Sequence, residues 1–168
     1  MFKLLENFLE KLMFASRWIM APFYFGLIIS LFLLLLVFLN EIFHFIIDFQ
    51  ADETELILFI LTLIDLSFAG NLLIIVIFSG YENFVSKINV DNHEDKPEWM
   101  GTVDFGGLKL KLISSIVAIS GIHLLKVFFA IDKYTENQII LFIAIHITFV
   151  ISGVLLAYMD SLVAKNGK

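Results

Sequence analysis

The chain has 168 residues, 60% of them hydrophobic and 17% charged, with 11 basic against 17 acidic side chains and a mean hydropathy of +0.93. So many apolar side chains cannot be buried in a core this small, which excludes a soluble enzyme domain or a disordered tail and points to an integral membrane protein solvated by lipid. The absence of cysteine excludes disulfides, thiolate metal sites and thiol nucleophiles, and a net charge of −6 without a basic stripe argues against nucleic acid as a partner.

In chain order, residues 1–17 open with MFKLLENFLEKLMF, which sets Leu5, Phe8, Leu9 and Leu12 on one helical face and Lys3, Glu6, Asn7, Glu10 and Lys11 on the other. That pattern predicts an amphipathic helix lying in the membrane interface. Four apolar runs follow at about 18–39, 56–78, 113–129 and 139–158, each near the ~20 residues that cross about 30 Å of hydrocarbon. The first is too long for a signal-peptide core and lacks a small-x-small cleavage site, so it reads as a permanent span. Pro22 falls in its first turns, where a missing N–H is best tolerated. Glu41, His44 and Asp48 put acid on one face of a helical extension beyond it, a cation-attracting mouth or a solvated face.

The second and third runs carry Asp65, Asn71, His123 and Lys126, yet stay spans because one ionisable group, at about 3 kcal/mol, is outweighed by a dozen large apolar side chains. SGYENF (Ser79 to Phe84) is read as a glycine stop with Tyr81 at the interface, and residues 79–112 as a loop. Within that loop DNHEDK (Asp91 to Lys96) lacks the glycine and distal glutamate of a calcium loop. Nine of the eleven bases fall in the N-terminal arm, the 79–112 connection and the tail, against only Lys133 on the opposite side. The positive-inside rule therefore places both termini and the long connection in the cytoplasm.

The stretches ASRWIMAPFYFGL (Ala15 to Leu27), ELILFILTLIDLSFAGNLLIIVIFSGYENFVS (Glu55 to Ser86), LKLKLISSIVAISGIHLLKVFF (Leu108 to Phe129) and IHITFVISGVLLAYMDSL (Ile145 to Leu162) resemble the YqhA-like family of small bacterial inner-membrane proteins, over nearly the whole chain. The resemblance implies a multi-pass inner-membrane protein and carries no activity, cofactor or site with it.

Chemistry therefore rests on polar residues inside the spans. Counting at 1.5 Å per residue, Asp65 lies about 13 Å from the outer end of its span, His123 about 9 Å, Lys126 about 5 Å and His146 about 10 Å. Three helices thus bring ionisable groups to similar depth in the outer half, where charge must be paired or hydrated and should face a bundle interior or a subunit interface. Thr62 accompanies Asp65, and Ser115, Ile119, Ile122, His123 and Lys126 form a stripe on the third span. Gly153 and Ala157, on the stripe of His146, are a small-xxx-small pair that permits close helix approach.

Several readings stay open. Asp65 pairs with Lys126 or a histidine and fixes helix register, or Asp65, His123 and His146 form a proton or ion route, since histidine ordinarily titrates near neutral pH. Lys126 is close enough to its helix end to snorkel. Haem between His123 and His146, or a divalent metal on these two with Asp65, are lesser alternatives to a protein without cofactor. Ser114 and Ser115 lie far from the histidines and read as packing residues, so enzymatic chemistry is not expected. The expectation is an all-α membrane protein of four spans plus an N-terminal interfacial helix. It would be a homo-oligomer that conducts protons or ions, or else an accessory component organising another membrane complex, its partner unidentified. Single cysteines at Asp52 and Lys133 should label from the periplasm in intact cells, and cysteines at Asn92 and Asn166 should not; outside labelling at Asn92 would refute this topology.

Overall fold

The computed structural model describes residues 2–47, 52–88 and 105–166, and within them all regular structure is helical. Helix α1 (Phe2–Ser16) leads through a 3₁₀ turn (Arg17–Met20) into α2 (Ala21–Ile47), followed by α3 (Glu53–Phe84), α4 (Phe105–Phe129) and α5 (Glu136–Asn166). Among the described residues four helical stretches are long and apolar enough to cross a membrane, and the protein is an all-α membrane protein.

Local chemistry sets the helix ends. Pro22 has no N–H to offer the Trp18 carbonyl; the Ala21 N–H takes that carbonyl instead, tightening the junction into 3₁₀ geometry. The backbone stays right-handed across the junction, so Pro22 marks a joint within a continuing helical path rather than a fresh start. Asp52 caps α3, its carboxylate accepting from the Glu55 N–H at 3.1 Å, and Glu53 and Glu55 add favourable charge to the first turn. Thr135 and Gln138 form a reciprocal box at the start of α5: the Thr135 N–H donates to Gln138 Oε1 at 2.9 Å, and the Gln138 N–H to Thr135 Oγ1 at 3.4 Å.

The helices overrun the apolar stretches. α3 has 32 residues, about 48 Å of helix against about 30 Å of hydrocarbon. Hydropathy finds the part that lies in lipid, whereas backbone hydrogen bonding continues into polar sequence. The connection expected at 79–112 is accordingly helical at 79–84 and 105–112. Beyond the first apolar run α2 continues through Glu41 and His44, and His44 stacks edge-on against Phe43. Asp48 and the DNHEDK segment lie outside the described residues.

The spans do not close into a bundle. α2 packs on α3, α3 on α4 and α4 on α5, and no other pair of spans packs extensively among the described residues. Each outer helix offers a single stripe to its neighbour: Tyr24, Leu27, Leu31, Leu34 and Phe38 on α2, and Ile139, Phe142, His146, Phe149 and Gly153 on α5. Spacings of three and four residues are those of helices crossing at a shallow angle. Gly153 lies against α4, where a Cβ would meet Ile113 Cγ1 at 3.4 Å, and Ala157 lines the same space. The apolar face of α1, with Leu5, Phe8, Leu9 and Leu12, stays exposed.

The tightest packing gathers at one end of the row, around Tyr24, Ser79, Gly80, Val85 and Leu108. Gly80 is not the expected stop, since α3 runs on to Phe84 and is capped at Val85. Its lack of a side chain admits Tyr24: a Cβ there would sit 2.6 Å from Tyr24 Cε1 and 2.9 Å from its hydroxyl oxygen. Tyr81 closes the contact edge-on to Tyr24, with ring centroids 6.0 Å apart. Tyr24 is 7% exposed and cannot swing aside freely. Gly80→Ala should therefore destabilise the protein in detergent by about 1–3 kcal/mol, the usual cost of overpacking. Gly26→Ala, where nothing lies within 4 Å, should leave the thermal midpoint unchanged or slightly raised; equal midpoints for the two variants would contradict the packing role of Gly80.

Candidate functional site

The polar groups of the spans gather toward the α4–α5 turn, along the two seams that α4 makes with its neighbours. Asp65 on α3 and Lys126 on α4 meet directly, with Lys126 Nζ donating to Asp65 Oδ2 at 2.8 Å. Their side chains are 25% and 19% exposed, so the pair sits in the seam rather than in a sealed core. Lys126 thus turns inward to the carboxylate instead of snorkelling toward the helix end, because a carboxylate within reach satisfies an ammonium that lipid would not. Thr62, one turn from Asp65, donates to its own helix at the Leu58 carbonyl, 2.9 Å away.

On the other seam Ser120 Oγ and His146 Nδ1 lie 2.8 Å apart. The same hydroxyl is 2.9 Å from the Val117 carbonyl of its own helix, so Ser120 links the α4 backbone to the imidazole of α5. The His146 ring lies over Gly121, where a Cβ would approach its Cε1 to 3.5 Å. Sequence reasoning passes over Ser120. Its signal is its position three residues before His123 on one face of α4, a spacing that serves hydrogen-bonding and packing residues alike.

His123 lies between the two pairs. It packs edge-on against Phe142 of α5 with centroids 5.2 Å apart, and Phe142 also meets Tyr134 edge-on at 5.7 Å. Asp65, Ser120 and His123 line one cleft of about 340 Å³, walled by Ile116, Ile119, Phe142 and Phe149. A carboxylate, a hydroxyl and an imidazole from two helices therefore share a single space, with Lys126 and His146 each bonded to a member of it. His123 is exposed in the row.

Ligand chemistry is limited by this layout. His146 is seated at Ser120 and Gly121, while His123 meets Phe142, so the two imidazoles make different neighbour contacts along the α4–α5 seam. Among the described residues no three of His, Asp and Glu come together as a metal-binding group. Ser114 and Ser115 donate to the Leu110 and Lys111 carbonyls of their own helix, at 2.8 and 3.0 Å.

The sequence profile of a family described as Uncharacterized protein family, UPF0114, matches residues 13–128, which takes in α2, α3 and nearly all of α4. No solved structure matches the chain. The matched region contains Asp65, Ser120, His123 and Lys126, and α5 with His146 follows it.

The ion pair can be tested as a pair. Asp65→Asn and Lys126→Met should each lower the thermal midpoint in detergent, since each strands one polar group in an apolar seam. The double variant should lose less than the sum, with a coupling of order 0.5–3 kcal/mol. Strict additivity would show that the contact contributes nothing to the folded state.

Proposed function

The chain belongs to the UPF0114 family, and from its intramembrane site we propose that it is a non-enzymatic, multi-pass protein of the bacterial inner membrane that moves protons through the periplasmic half of its span row. One observation carries this reading: the carboxylate that holds Lys126 also lines the cleft of Ser120 and His123, so titratable groups of two helices share one space. Protons fit the site better than metal cations. The cation position beside Asp65 is already filled by the Lys126 ammonium, and a metal would have to displace it. A proton passing from Nζ to the carboxylate instead turns an ion pair into a neutral amine–acid pair with no change of net charge. In an apolar seam such a neutral pair is readily accommodated.

Ser120 and His146 extend the line. A hydroxyl accepts one proton as it donates another, and a neutral imidazole carries a donor on one ring nitrogen and an acceptor on the other, so the site offers a short relay of donors and acceptors. The uneven distribution of bases supports cytoplasmic termini, which puts this end of the row on the periplasmic side.

A structural reading is favoured by a separate observation. The 2.8 Å bond ties α3 to α4 inside the span row, which suits a register lock in an accessory protein that conducts nothing. Flux separates the two. Protein reconstituted in liposomes with an internal pH-sensitive dye should dissipate an imposed pH gradient, and Asp65→Asn should abolish this while the protein stays folded. A wild-type protein without flux, whose Asp65→Asn variant only loses thermal stability, would establish the accessory role.

A further inference from the structure

α2 and α4 both pack on α3, and a third side of that helix is left open. Leu56, Ile60, Ile64, Ser67 and Asn71 are exposed along it at intervals of four, four, three and four residues. This is the spacing of a helix–helix seam, and it runs from Leu56 to Asn71. The two polar members differ in kind. Ser67 donates to the Leu63 carbonyl of its own helix at 2.8 Å, as Ser30, Ser114 and Thr148 do to carbonyls four residues back on theirs. Asn71 has no hydrogen-bond partner among the described residues, although it lies about 10 Å inside the apolar run ending at Phe78.

A carboxamide has two donor hydrogens and an acceptor oxygen, and hydrocarbon offers it nothing. We propose that the open stripe of α3 is the self-association seam of this protein, where Asn71 of one copy hydrogen-bonds Asn71 of a second. Two copies inserted with the same topology carry Asn71 at the same depth, and the amide is self-complementary, its N–H matching the other's C=O in both directions. A two-fold axis between the α3 helices satisfies both side chains at once, which is the condition for an isologous interface. Ser67, one turn away and small, lets the backbones approach at that level. A different membrane protein would need a matching polar group at the same depth and register, whereas a second copy supplies one by construction. The seam stands independently of the proton reading, since neither Asp65 nor His123 belongs to it.

The chain has no native cysteine, so disulfide scanning is direct. Single cysteines at Ile60, Ile64 and Ser67 in the full-length protein, reconstituted in liposomes and oxidised, should give disulfide dimers. Cysteines at Ile147 and Leu155, exposed on α5, should not. Asn71→Leu should weaken dimerisation about tenfold by fluorescence energy transfer between labelled copies, and Asn71→Gln should retain most of it. Because position 71 contacts no other helix through a hydrogen bond, both variants should keep the wild-type monomer fold, checked by helicity and elution volume. Absence of cross-links along α3, equal cross-linking at α5, or unchanged association in Asn71→Leu would each overturn the seam.

Discussion

A charged or hydrogen-bonding group inside a bilayer has no solvent to return to, and the polar side chains of this protein are arranged by that constraint. Serines and threonines on the open faces turn back onto the carbonyl four residues earlier, as Ser30, Ser67, Ser114 and Thr148 do. Groups that cannot be satisfied within their own helix reach across a seam, as Lys126 does to Asp65 and His146 to Ser120. Asn71 meets neither condition among the described residues, and the proposed self-association seam would supply it a partner.

The row architecture follows from the same economy. In lipid there is no hydrophobic gain from closing helices into a bundle, since acyl chains cover apolar faces as well as leucine does. Association then depends on close fit and on polar contacts. The fit is provided by Gly80 beneath Tyr24 at one end and by Gly153 against Ile113 at the other seam, and the polar contacts are concentrated on α4. α4 is accordingly the helix shielded on most of its circumference, while α2 and α5 are fastened by one stripe each. An open row also explains why the Asp65–Lys126 pair remains a fifth to a quarter exposed: its shielding comes from two helices rather than four.

Much of this is legible in the chain. Four spans and the amphipathic N-terminal segment follow from apolar run length and helical periodicity, properties that each segment carries without its neighbours. The pairing of Asp65 with Lys126 was one of few choices, because lipid leaves a carboxylate little else to bind. Gly80 was misread because glycine after a long apolar run marks a helix end and a close helix approach with the same letter, and only the position of Tyr24, 56 residues earlier, separates them. Ser120 was missed for a related reason: a serine in a span is most often satisfied by its own backbone, and its second contact becomes visible only once α5 is in place.

By itself the sequence determined the membrane class and the number of apolar spans, because hydrocarbon selects on length and polarity, and both are local. The tertiary structure alone decided that the spans form an open row, that His146 bonds Ser120 while His123 packs on Phe142, and that Asp65, Ser120 and His123 share one cleft. Azimuth is the reason. Depth along a helix is counted from residue numbers, but which neighbour a side chain faces depends on how helices distant in the chain rotate against each other, and that is settled by steric fit between side chains that no single segment contains.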